Sequence, residues 1–119
     1  MPAPQSTLLQ SWNHNAQAWI EAIRTGAIES RLTVTDQAIL LAVLGRQPER
    51  VLDLGCGEGW LLRELEKRAI NAVGVDGDAT LVDATQAAGS SPVHLATYEE
   101  LAEATVNIGS QYDLICANF

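Results

Sequence analysis

The sequence predicts an α/β domain built on a doubly wound parallel sheet. Three observations carry this. Short apolar runs take turns with segments of helical period, and the runs themselves do not alternate apolar with polar residues. The stretch VLDLGCGEGW, residues 51–60, also places three glycines directly after one such run. Strands alternating with helices imply βαβ units with right-handed crossovers. Strands that are apolar on both faces are those covered by helices on both sides. A chain of 119 residues suits one domain and is long enough for a real core.

Residues 6–25 carry Leu8, Leu9, Trp12, Ala16, Trp19, Ile20 and Ile23 at three- and four-residue steps, which predicts a helix stopped by Gly26. Trp12 and Trp19 fall two turns apart on one face, where they serve either as core anchors or as the cap of a ligand pocket. A second helix is predicted over 36–44, with Thr35 as N-cap and Gly45 just past its end. Arg50–Leu54 follows as the first strand, bounded by Pro48 and Gly55. A helix is predicted over 58–69, a second strand over 72–75 ending on Asp76, and a helix over 78–88 capped by Asp78 and stopped by Gly89. A weaker third strand over 93–96, a short helix over 98–105 and a fourth strand over 112–117 complete the reading.

Composition excludes several classes. The net charge is −8 with only seven Lys and Arg, whereas nucleic-acid binders show a basic face. The longest unbroken apolar run, residues 38–44, falls far short of the roughly 20 residues of a membrane span. The N-terminus has no basic region followed by an apolar stretch. Cys56 and Cys116 form no CxxC pair, so reduced thiols and a cytoplasmic setting are expected. His14 and His94 have no partner at ligand spacing, and no metal site is expected.

In a doubly wound sheet, ligands bind beyond the carboxyl ends of the strands, where the winding reverses. Gly55, Gly57 and Gly59 lie at that end of the first strand, and glycine allows positive φ and leaves no Cβ in a ligand's way. A helix starting near Glu58 is expected to point its free N–H groups and positive dipole end at the same spot. Asp76 ends the next strand, 17 residues beyond Gly59, and such an acid can accept hydrogen bonds from both ribose hydroxyls of an adenosine. The dinucleotide fingerprint GxGxxG wants a third glycine where this chain has Trp60. Glu58 in the loop disfavours a phosphate, whereas Asp53 and Glu58 favour a ligand carrying positive charge.

LDLGCGEG resembles the first motif of the class I S-adenosylmethionine-dependent methyltransferases, VGVD their second, and DLICANF their fourth-strand motif. The whole chain looks most like the N-terminal half of small bacterial methyltransferases of the ubiquinone-biosynthesis O-methyltransferase group. The resemblance implies a Rossmann-like sheet of order 3-2-1-4, truncated after the fourth strand. Residues 1–46 would be a helical segment packing on or capping the cofactor site, and residues 47–119 the cofactor-binding half-domain. Gly55 and Gly57 would pack against the methionyl part of S-adenosylmethionine, and Asp53 would orient its amino group. Asp76, with Gly77 beside it, would bind the ribose, and Asn118 would line the methionine end. Arg31 matches a contact to the cofactor carboxylate, alongside its plainer reading as a structural arginine. The family's adenine-reading acid is missing at Thr97, so Thr97, Tyr98 or Glu99 must serve.

Cys56 sits among these loop residues. A helix N-terminus there could lower its pKa, but no histidine base accompanies it, and it reads first as a small residue filling the turn. Ser90 and Ser91 belong to a turn and not to a GxSxG elbow.

The expected function is transfer of a methyl group from S-adenosylmethionine to a small-molecule acceptor, leaving S-adenosylhomocysteine. No catalytic base is identified, and the piece alone is expected to be inactive. A non-catalytic adenosyl-binding module and a nucleotide-dependent oxidoreductase are the alternatives. The apolar fourth strand, free of Lys and Pro, is expected to be an exposed edge through which the chain self-associates.

Overall fold

The computed structural model describes residues 4–29 and 31–117. Helix α1 (Pro4–Arg24) is followed by a π-helical turn (Arg31–Thr35) that runs into α2 (Asp36–Gly45). Then come β1 (Arg50–Leu54), α3 (Trp60–Glu66), β2 (Asn71–Asp76), α4 (Ala79–Ala88), β3 (Val93–Leu95), α5 (Tyr98–Ala102) and β4 (Leu114–Ala117). The four strands form one parallel sheet in the order β3-β2-β1-β4, the Rossmann-like arrangement expected from the sequence.

Alternate residues of β1 and β2 feed two separate cores. Val51 and Ala72 join Leu61, Leu62 and Leu65 of α3 and Val82 of α4 on one face of the sheet. Leu52, Val73 and Val75 point to the other face and meet Ala96, with Leu101, Val106 and Ile108 packed around them. Both faces are therefore covered, which is why the interior positions of these strands are apolar, with buried Asp53 as the exception. Burying a leucine such as Leu62 or Leu65 completely contributes roughly 1.5–3 kcal/mol. Strand β4 differs, because its residues alternate between half-buried and exposed, and Ile115 is 58% exposed. Among the described residues it is the edge of the sheet, with one face covered. A third cluster sets Ala16 and Ile20 of α1 against Leu81 of α4.

Several boundaries depart from the sequence reading. Thr35 is not an N-cap: its φ of −71° and ψ of −40° are helical, and it makes no side-chain cap bond. The π-helical turn already carries the chain into α2, so no start signal is needed there. Gly45 is the last residue of α2, and the left-handed residue that ends the segment is Gln47, with φ of 50°. Helix α3 begins at Trp60, because Gly59 before it has φ of 88° and cannot be part of a helix. It stops at Glu66, just before the left-handed Ala69. Helix α5 likewise ends short of the left-handed Ala104. Strand β4 starts at Leu114, two residues later than expected. Asp113 instead brackets the entry to β1, its carboxylate accepting the N–H groups of Glu49 (2.8 Å) and Arg50 (2.9 Å). Tyr112 stacks on the Arg50 guanidinium at 4.4 Å and donates its hydroxyl to the Ile108 carbonyl.

Gly26 (φ 69°) ends α1 as expected, and Asp78 caps α4 by accepting the Leu81 N–H at 3.0 Å.

Candidate functional site

The glycine loop between β1 and α3 turns through three left-handed residues, Gly55, Gly57 and Gly59, with φ of 72°, 60° and 88°. Its N–H groups are directed inward. Those of Gly55 and Cys56 both donate to the Val75 carbonyl (2.8 and 3.0 Å). The Gly57 N–H goes to Asp76 Oδ2 (2.9 Å) and that of Gly59 to the Cys56 carbonyl (3.1 Å). The N–H groups of Gly55, Cys56 and Gly57 are thus bound to the end of β2 and that of Gly59 to the loop's own Cys56 carbonyl, and α3 starts at Trp60, two residues later than expected. Phosphate recognition by such loops depends on those donors. Here those of Gly55, Cys56, Gly57 and Gly59 are taken.

Gly59 performs the close-packing task that the dinucleotide fingerprint gives to its third glycine. A Cβ on it would lie 2.6 Å from Thr85 Cγ2, so α4 and the loop touch through bare backbone. The Thr85 hydroxyl also lies 2.8 Å from the Gly57 carbonyl, which accepts from it. Trp60 is thereby free to project from the start of α3 into the cavity beside the loop.

Carboxylates gather at the strand ends. Asp53 is 3% exposed, and burial with Asp76 nearby pushes its carboxyl up to about 7, against a hydrogen bond from Cys116 that pulls it down. Asp76 binds the loop through Oδ2 and accepts the Asp78 N–H on Oδ1 (3.0 Å). Burial outweighs these bonds and holds its carboxyl above the usual range. A carboxylate has about four lone-pair sites, so capacity for further donors remains. Glu58 is already engaged, contrary to the expectation that it stands open to a cationic ligand. Its Oε2 accepts from Arg63 (2.7 Å) and Arg24 (3.2 Å). Its Oε1 is buried with no hydrogen-bond partner among the described residues.

Helix α1 lies across this end of the sheet, held at three points. Leu9 sits so close to Gly77 that a Cβ there would be 2.8 Å from its Cδ2. Trp19 Nε1 lies 3.7 Å from the Cβ position of Gly57, in ordinary contact. Arg24 binds Glu58 and donates to the Ala84 carbonyl of α4 at 3.0 Å. Trp12 and Trp19 meet edge-to-face at 5.7 Å. Both line the cavity, while Ala16 and Ile20 supply the core contact. Both readings of this pair are met in part: Trp12 and Trp19 line the cavity, and Trp19 also packs against the core cluster of Ala16, Ile20 and Leu81. Arg31 stands between the rings of Trp19 (5.5 Å) and Trp60 (6.0 Å), with its Nε on Asp36 at 3.1 Å.

These elements enclose a cavity of 460 Å³, within the roughly 300–1,000 Å³ range of small-molecule sites. Arg31, Asp53, Gly55, Cys56, Gly57, Asp76, Gly77, Thr97 and Tyr98 all border it. Asn118 lies outside the described residues. Of the three candidates after β3, Thr97 is committed to a capping box, its hydroxyl accepting the Glu100 N–H at 3.1 Å. Glu99 does not reach the cavity wall, whereas Tyr98 does, its hydroxyl 3.2 Å from the Cβ position of Gly55. The possibility of a lowered Cys56 pKa is corrected: burial, then Asp53 and Asp76, raise it, and the side chain fills the core beside Gly74. Sequence reasoning missed Thr85, Arg24 and Arg63. The partners of Thr85 and Arg24 lie across the fold, Arg63 reaches back five residues to Glu58, and no local motif marks them. No group of three or more potential metal ligands occurs among the described residues, and none of their helices is long and apolar enough to cross a membrane.

Chemically, the cavity pairs carboxylates with indole faces, and the N–H groups of Gly55, Cys56, Gly57 and Gly59 are not available to an anion. That combination suits a ligand with a flat ring and positive charge.

A family model described as a methyltransferase domain matches residues 28–119. Similar solved structures include the plantazolicin methyltransferase BpumL in complex with a monoazolic desmethylPZN analog and SAH. It is 18% identical, with a TM-score of 0.59 over 93% of this chain and 45% of that one. Its counterpart BamL, with a triazolic analog and SAH, is 19% identical with a TM-score of 0.58 over 93% of this chain and 44% of that one. WbdD, in a co-crystal with a kinase inhibitor, is 27% identical with a TM-score of 0.49 over 64% of this chain and 18% of its own. This chain thus spans less than half the length of each. At such identities the likeness to the plantazolicin enzymes is one of fold. No curated protein matches the chain in sequence.

Proposed function

The chain belongs to the methyltransferase-domain family, and on that premise we propose that its cavity binds S-adenosylmethionine for methyl transfer to a small-molecule acceptor. The observation that carries the reading is the polarity of the glycine loop. The N–H groups of Gly55, Cys56 and Gly57 are bound to β2, while two carboxylates, buried Asp53 and half-buried Asp76, face the cavity beside it. A pyrophosphate finds the N–H groups of Gly55, Cys56 and Gly57 already bound and meets the Asp53 and Asp76 carboxylates. A ligand with a sulfonium and an ammonium finds the opposite sign.

The residues fit that ligand in sequence along the wall. Asp53 takes the ammonium, Asp76 the ribose hydroxyls, and Gly55 and Gly57 leave room for close approach. Arg31, steadied by Asp36 and two indoles, faces the carboxylate. Tyr98 takes the place of the missing acid and covers the adenine with its ring. When bound, S-adenosylmethionine supplies an electrophilic methyl group on a good leaving sulfide. The protein's part is to position, orient and exclude water. Helix α1 does the last of these by lying over the strand ends, and no side chain is assigned as a base.

All three tryptophans of the chain, Trp12, Trp19 and Trp60, line the cavity. Titration with S-adenosylhomocysteine should therefore give a saturable change in intrinsic fluorescence. A flat response at millimolar ligand, with the protein folded, would count against the assignment.

A further inference from the structure

Asp53 of β1 stands in register with Cys116 of β4. Side chains directly opposite on neighbouring parallel strands leave the sheet on the same side, and the Cys116 thiol donates to Asp53 Oδ1 at 3.7 Å. No other side chain among the described residues donates to this carboxylate. The titratable groups whose fields meet there are Asp76 from β2, Cys56 from the glycine loop, Cys116 from β4 and Tyr98 from α5. None of these is a cation, and the one cationic side chain named on the cavity wall, Arg31, is paired with Asp36 at 3.1 Å. A buried carboxylate facing a cavity with one weak donor and no countercharge has two ways to be satisfied: a proton, or a cationic ligand.

We propose that Cys116 is a positioning residue for the cavity, its thiol holding Asp53 poised so that an entering cation displaces the Asp53 proton. Binding and proton release are then one event, and the strength of the donor at position 116 decides the pH at which they exchange. Burial and the Asp53 charge push the thiol up to about 12, so it keeps its hydrogen and remains a donor throughout the neutral range. Thiols donate weakly. A hydroxyl at this position would favour the ionised carboxylate more, and an alkyl group would not favour it at all. The identity of the cation as the ammonium or sulfonium of the cofactor rests on the reading above, whereas the thiol–carboxylate link does not.

Two measurements on the full chain separate them. Carboxyl-carbon NMR of ligand-free protein should place the Asp53 midpoint near 7 in the parent, lower in Cys116→Ser and higher in Cys116→Val. Titration with S-adenosylhomocysteine between pH 5.5 and 7.5 stays below the range in which α-amino groups lose their proton, about 7.7–8.0. Affinity should fall by up to about tenfold per pH unit below the midpoint, and the onset of that fall should move with the same two substitutions. An Asp53 midpoint unchanged in both Cys116 variants overturns the link. Midpoints that move while affinity stays independent of pH overturn the proton coupling. Midpoints that move in a protein that does not bind S-adenosylhomocysteine uphold the link and count against the cofactor assignment.

Discussion

Asp76 Oδ2 accepts the N–H of Gly57 at 2.9 Å, so the acid that ends the second strand braces the loop that follows the first. The same carboxylate holds the Asp78 N–H through its other oxygen. One residue therefore fixes the shape of the cavity floor and faces its contents.

Replacing Asp76 with alanine should accordingly do two kinds of damage. Leaving the Gly57 donor unpaired in a part-buried setting should cost roughly 1–3 kcal/mol of stability. Affinity for S-adenosylhomocysteine should fall about ten- to a hundredfold, from the lost hydroxyl contacts. Denaturant midpoints and fluorescence titration measure the two. Unchanged affinity in a folded variant would leave Asp76 as a brace alone.

Gly57 and Gly59 should separate function from folding. At Gly57 an added methyl meets only Trp19 Nε1 at 3.7 Å, so Gly57→Ala should cost about 1–2 kcal/mol from its left-handed backbone and should also weaken ligand binding, because the methyl borders the cavity. At Gly59 the methyl lands 2.6 Å from Thr85 Cγ2. Gly59→Ala should therefore be the less stable of the two, and Thr85→Ser should recover part of the loss by removing that methyl. Equal stabilities, or no recovery, would show that the loop and α4 shift apart freely.

Stability should fall as pH rises through the acid-to-neutral range. The Asp53 carboxyl is raised from 3.8 to about 7 in the folded chain, so the folded state binds this proton more tightly than the unfolded one. Its contribution is fully present below about pH 3.8 and is lost as pH rises through about 7. Asp53→Asn should remove most of that slope and stabilise the ligand-free protein at pH 8 by on the order of 2–4 kcal/mol. Asp76, also raised, leaves a smaller slope of the same sign. Thermal melts from pH 4 to pH 8 provide the check, and parallel curves for the two proteins would rule out a buried, poorly compensated Asp53.

The edge at β4 should make the chain self-associate. Ile115 is 58% exposed on a strand with no Lys or Pro, and unprotected edges pair with one another. Sedimentation at micromolar concentration should show oligomers that Ile115→Lys disperses. A monomer in both cases would mean that the edge is blocked.

How far the fold was legible follows from which residues signal locally. The parallel α/β class could be inferred because strand and helix periods alternate cleanly, the order β3-β2-β1-β4 came from the family resemblance, and Asp78 announced its helix by chemistry that acts within three residues. The left-handed Gln47, Ala69 and Ala104 carry no such signal, since glycine is the residue that usually marks that backbone. Hence the ends of α2, α3 and α5 were misplaced. The glycine loop was found from spacing, yet the direction of its donors depends on Val75 and Asp76 in another strand. Glu58 was expected to be open because its partners, Arg24 and Arg63, come from two different helices. The choice between Thr97, Tyr98 and Glu99 required knowing that Glu100 closes a capping box.

The central claim, that this cavity is built for a cationic adenosyl ligand and not for a dinucleotide, is tested most directly by titration calorimetry. S-adenosylmethionine, S-adenosylhomocysteine and NAD should be compared on the same protein at pH 7.5. The expected result is saturable binding of both adenosyl sulfur compounds, with NAD at least about tenfold weaker, a difference of about 1.4 kcal/mol. NAD binding as tight as S-adenosylhomocysteine, or tighter, would contradict it.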